Sequence, residues 1–158
     1  MGELFAVVSG KGGTGKTSLC AALATALAKE GKRVLCIDCD VGLRNLDISL
    51  GLSECGALSF WDVSEGGYSL EDAFRHPVYP TLAFLTAPMN CPVEKINTAA
   101  FGEMLSRARQ IFDYVFLDAP AGVDAGFRLT AQFADRFLLV TGAGPAACLL
   151  YTSDAADE

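Results

Sequence analysis

The stretch Gly10-Lys11-Gly12-Gly13-Thr14-Gly15-Lys16-Thr17 gathers four glycines, two lysines and two hydroxyl side chains into eight residues. Its spacing is G-x-x-x-x-G-K-[ST], and each residue type has a physical reason for its place. Glycines let the backbone curl tightly enough for successive N–H groups to point at one anion. A helix that begins directly after the loop turns its positive dipole end toward the same anion. Lys16 is placed to reach the outer phosphates of a nucleotide and Thr17 to offer a hydroxyl to Mg2+. Ser18 adds a donor nearby, toward the innermost phosphate. With glycine near ~7 % of residues, a chance match in such a chain is on the order of one in a few hundred. The pattern therefore reads as a phosphate cradle rather than a glycine-rich turn.

Three carboxylates stand where such a cradle needs them. Asp38 and Asp40 close one apolar run and Asp118 closes another. In open α/β sheets, ligands bind at those carboxyl ends of the strands. Asp118 suits an acid that holds Mg2+ directly or through water, and one of Asp38 and Asp40 could orient the attacking water. A single aspartate at a strand end is as often a loop cap. Three of them beside one phosphate loop weigh against that reading.

The elements that must position these groups are legible as patterns. Residues 4–9 form a nearly uninterrupted apolar run, as in a strand buried on both faces. Residues 16–30 follow with apolar side chains at helical spacing, and Gly31 is placed to stop the helix. Residues 34–38 read as a second buried strand, which completes a β–loop–α–β unit. Residues 46–50 read as a short strand or extended loop, and residues 57–63 and 70–75 as short helices separated by Gly66-Gly67. Residues 82–86 read as a third strand. Thr98 is expected to cap a helix running to about Phe112, with Phe101, Met104, Leu105, Ala108 and Ile111 on one face. Residues 114–117, ending at Asp118, and residues 136–141 complete the strands. The expected fold class is α/β, a mainly parallel sheet with helices on both faces, incomplete at the C-terminus.

Composition bounds the function. The 158 residues are 51 % hydrophobic, enough for one domain with a substantial core. A net charge of −7 argues against a general nucleic-acid surface. No run approaches the roughly 18 apolar residues of a spanning helix and the start lacks basic residues, so the expected location is cytoplasmic. Cys36 and Cys39 form a C-x-x-C, but on a strand they point to opposite faces, poor geometry for one metal ion. They are read as buried thiols in a reducing compartment. The lone His76 reads as a loop residue.

Lys11, directly after the first glycine, is uncommon in phosphate loops. The form KGGTGKT, with Lys11 and Lys16 together, resembles the deviant Walker A motif of the MinD/ParA family of P-loop ATPases. The resemblance extends to Ile37-Asp38-Cys39-Asp40-Val41-Gly42-Leu43-Arg44-Asn45-Leu46-Asp47, similar to switch I of the MinD branch. It reappears at Leu117-Asp118-Ala119-Pro120-Ala121-Gly122, similar to the Walker B and switch II stretch, with Ala119 in place of the usual serine. It covers about residues 4–147.

The resemblance implies ATP and Mg2+ as cofactors and an ATP-dependent homodimer. In it, the lysine matching Lys11 reaches the partner's phosphates in the manner of an arginine finger. By the same resemblance Asp40 positions the hydrolytic water, Asp38 supports switch I, and Thr17 and Asp118 serve the metal. It further implies slow hydrolysis acting as a timer, division-inhibitor and activator proteins as partners, and reversible inner-membrane association through a C-terminal amphipathic helix that is absent here. Nucleic acid is not an expected partner. A partition ATPase, a flagellar-number regulator and a non-catalytic nucleotide-binding scaffold are the competing readings. A nitrogenase-reductase-like iron–sulfur protein would want a cysteine in residues 120–127, which have none.

The closing string CLLYTSDAADE, residues 148–158, resembles one reading frame of a transposon-end adapter used in DNA library preparation. The expectation is a native P-loop ATPase portion over residues 1–147 and a non-native tail beyond it. A full-length member is expected to carry roughly another hundred residues, including much of the adenine pocket.

Overall fold

Alternate side chains along the central strands divide between two apolar layers, and this division sets the architecture. The computed structural model describes residues 1–10, 15–52 and 55–142. In chain order the described elements are β1 (Glu3–Val8), α1 (Lys16–Lys29), β2 (Val34–Asp38), α2 (Leu46–Ser49), α3 (Phe60–Ser64), β3 (Phe74–Arg75), β4 (Leu82–Leu85), α4 (Thr98–Ile111), β5 (Tyr114–Asp118), α5 (Ala125–Ala131) and β6 (Arg136–Leu139). Single 3-10 turns occupy Leu70–Asp72 and Val93–Lys95. The sheet order is β3-β4-β2-β5-β1-β6, parallel throughout except that the two residues of β3 pair antiparallel with β4 at the edge.

Val34 and Cys36 of β2 face the layer under α1, where Cys20, Ala21, Ala24 and Ala28 pack against Phe84 and Phe116. Leu35 and Ile37 face the opposite layer, where Phe101, Met104, Leu105 and Ala108 of α4 meet Leu85, Val115 and Leu117. Cys39 joins this second layer, so the two cysteines of the C-x-x-C lie on opposite faces of the sheet. The alanines of α1 both favour the helix and let it lie close to the strands. Gly31, at φ +83°, ends it, its N–H donating to the Ala28 carbonyl at 3.0 Å.

Several expectations shift. Residues 46–50 are neither strand nor extended loop, because Leu46 and Leu50, four apart, are both buried under α1, the spacing of a helix face. In residues 57–63 the helix waits until Phe60, since Ser59 closes a reciprocal capping box with Asp62. Residues 70–75 split into a 3-10 turn and strand β3 rather than forming one helix. Asn97, not Thr98, caps α4, accepting from the Ala100 N–H at 3.1 Å. Helix α5, which sequence periodicity did not reveal, buries Leu129 and Thr130.

His76 lies in the loop between β3 and β4. Its Nδ1 accepts the backbone N–H groups of Val78 and Tyr79 at 3.1 and 3.2 Å, so the proton sits on Nε2, which donates to the Leu50 carbonyl at 3.2 Å. Among the described residues no group of three or more His, Cys, Asp or Glu is arranged to hold a metal ion, and no helix is long and apolar enough to cross a membrane.

Candidate functional site

Strands β1, β2 and β5 end side by side, and their carboxyl ends carry the polar groups. Asp38 and Asp118 are register partners at the close of β2 and β5, both without exposed surface. Helix α1 starts at the same edge. Gly15, at φ +84° and with no side-chain cap bond, forms its N-terminal cap, and a Cβ there would meet nothing within 4 Å. The dihedral, not crowding, is what asks for glycine. Gly10 is half-buried at the end of β1; Lys11, Gly12, Gly13 and Thr14 lie outside the described residues.

Lys16, the first helical residue, is buried and sets its Nζ 2.5 Å from Asp118 Oδ1. The Thr17 hydroxyl donates to the other carboxylate oxygen of Asp118 at 2.9 Å. Thus a lysine, a hydroxyl and an acid from two distant segments converge on one point. Burial raises the Asp118 pKa, while the charge of Lys16 and the hydrogen bonds from Lys16 and Thr17 pull it back.

Asp38 anchors the loop that leaves β2. Its Oδ1 accepts the Asp40 N–H at 3.0 Å and its Oδ2 the Leu46 N–H at 3.3 Å. Burial pushes its pKa up to about 7, opposed by the Asp40 amide and reinforced by the nearby Asp118. Asp40 in turn accepts the Gly42 and Leu43 N–H groups through Oδ1, both at 3.2 Å, which fixes its carboxylate. The loop after β5 is tied to the same edge by Gly122 N–H donating to the Ser9 carbonyl at 3.2 Å, and Ala119 is buried against Ala6 and Val8.

These groups surround a cavity of about 190 Å³ whose lining includes Gly15, Lys16, Thr17, Ser18, Asp40 and Ala121. Asp38 and Asp118 support it from the strand ends. The donor set suits a polyphosphate with a divalent metal: helix N-terminal amides and a lysine for the anion, a hydroxyl and a carboxylate for the cation. The edge that the sequence did not announce is the contact of Arg44 with Thr86, whose Oγ1 accepts from Arg44 Nη2 at 3.0 Å. The two are 42 positions apart and no motif links them.

The family model of the CobQ/CobB/MinD/ParA nucleotide binding domain matches residues 5–140. The chain belongs to this family. Within it, the chain is 40 % identical over 142 residues to the septum site-determining protein MinD of Thermotoga maritima, covering 89 % of this chain and 52 % of that protein. Among solved structures it is similar to MinD in the MinC:MinD cell division complex of Aquifex aeolicus, at a TM-score of 0.81 and 34 % identity over 96 % of this chain and 64 % of that one. It is also similar to Pyrococcus horikoshii MinD complexed with Mg-ADP, at a TM-score of 0.79 and 27 % identity over 98 % and 66 % of the two chains. The chain thus spans about half the length of the curated relatives it matches. At the level of fold and family, it is a nucleotide binding domain similar to that of MinD.

Proposed function

We propose that this chain is the phosphate-binding part of a Mg·ATP-hydrolysing dimerisation switch of MinD type, acting in the spatial control of cell division at the membrane. The observation that carries the reading is the convergence of Lys16 and Thr17 on Asp118 at the mouth of the cavity that Asp40 lines. Residues 10–15 and the first turn of α1 bind the phosphates through backbone amides, with Ser18 beside them. Lys16 supports the outer phosphates and Lys11 those of a partner copy. Thr17 and Asp118 would hold Mg2+, which when bound would supply positive charge where phosphoryl transfer builds up negative charge. Asp40, fixed through Oδ1 by two amides, uses its second oxygen to orient the water. Asp38 keeps the loop bearing Asp40 in place. Similarity to the MinC:MinD cell division complex of Aquifex aeolicus supports a cell-division protein as partner, and the resemblance to the family carries the reversible membrane association of the whole protein.

Replacing Lys16 by Ala tests the reading. Binding of Mg·ATP, followed by calorimetry, is expected to weaken at least tenfold, and the thermal midpoint of the ligand-free chain to fall, because Asp118 is left buried without its cation. Equal affinity in the variant and the parent chain would reject the site.

A further inference from the structure

The loop over residues 40–46 carries a feature that its own hydrogen bonds do not explain. Arg44 adopts φ +49°, in the left-handed region that L side chains rarely take. Its Nε is buried and has no hydrogen-bond partner among the described residues. Two unfavourable features at one residue persist only where the surroundings impose them. The imposing contact is the 3.0 Å hydrogen bond from Nη2 to Thr86 Oγ1. Thr86 is itself held on both sides, its N–H donating to the Leu58 carbonyl and its carbonyl accepting the Phe60 N–H, each at 2.9 Å. At the other end of the loop the Arg44 N–H donates to the Asp40 carbonyl at 3.0 Å.

We propose that Arg44 and Thr86 form a clamp that fastens the loop bearing Asp40 to the end of β4, so that both are positioning residues for the water-orienting step. This rests on the role given to Asp40 above. The clamp adds a third anchor to the two that Asp38 supplies at Asp40 and Leu46. Neither Arg44 nor Thr86 lines the cavity, so the clamp sets where Asp40 stands without touching the phosphate cradle. Opening it relieves the Arg44 backbone and frees Nε to reach water, which makes the closed loop the tensioned state.

Thr86→Val keeps the shape of the side chain and removes the acceptor; Thr86→Ser restores it; Arg44→Gly removes the guanidinium and the strained dihedral together. The primary measurement is amide hydrogen exchange of the ligand-free chain at Gly42, Leu43, Arg44 and Leu46, whose N–H groups close this loop. Exchange at these four is expected to speed up about tenfold in Thr86→Val and in Arg44→Gly, with the central strands unchanged, and to return close to the parent value in Thr86→Ser. Turnover should show kcat for ATP falling about tenfold in Thr86→Val while KM stays within twofold. Unchanged exchange in that loop, or acceleration spread evenly over the sheet, would overturn the clamp. A parent chain that neither binds nor hydrolyses ATP would overturn the functional reading instead, and the exchange result still decides the clamp by itself.

Discussion

Asp38 is a carboxylic acid without exposed surface, so its charge is set by its neighbours. With a folded pKa of about 7 against roughly 4 in the unfolded chain, the native state binds more protons than the unfolded state between those values. Stability from this residue is complete below about pH 4, falls as pH rises toward 7, and is level above. The unfolding free energy of the ligand-free chain, measured in urea, is therefore expected to drop between pH 5 and pH 8 by on the order of a few kcal/mol. Asp38→Asn should flatten that slope, leaving the smaller part owed to Asp118, which shifts the same way. A slope as steep in the variant would assign the dependence elsewhere. At this scale the sequence was most informative where residue types are forced by chemistry. The glycine-lysine-threonine spacing named Lys16 and Thr17, and the ends of apolar runs named Asp38, Asp40 and Asp118. Arg44 and Thr86 stayed hidden, because a contact across 42 positions leaves no local trace.

Helix α4 turns Phe101, Met104, Leu105 and Ala108 into one apolar layer. Phe101 is fully buried, with its ring 5.2 Å from Phe60 and 5.8 Å from Phe133, both edge-on. Phe101→Ala removes the centre of that aromatic group and is expected to cost about 3–5 kcal/mol, read as a lowered urea midpoint with an unchanged slope. A loss below about 1 kcal/mol would mean the layer closes over the gap. The long helices and the parallel strands were legible because their apolar patterns are periodic over many residues. Short elements were not. Helix α2 depends on burial of Leu46 and Leu50 under α1, β3 on pairing with β4, and α5 on docking of Leu129, all tertiary decisions that override local preference.

Taken as one body, the chain carries at one sheet edge a cavity lined by Gly15, Lys16, Thr17, Ser18 and Asp40, which in the proposed reading takes the phosphates. That lining offers donors for a polyphosphate and no aromatic face for a base, and recognition there is expected to centre on the polyphosphate. Calorimetry with Mg2+ present should therefore give ATP and inorganic tripolyphosphate affinities within about tenfold of each other; a preference beyond a hundredfold for ATP would place a base pocket within these residues. The imidazole of His76 offers a way to watch this body respond. It is the chain's only histidine, it is held as a single tautomer, and its Nε2–H reaches the carbonyl of Leu50 just past α2. Its ring nitrogens thus give nitrogen-15 resonances that need no assignment. Movement of α2, carried along when the preceding loop opens, will register there as a change in chemical shift, so the molecule carries its own spectroscopic gauge with no foreign probe group attached.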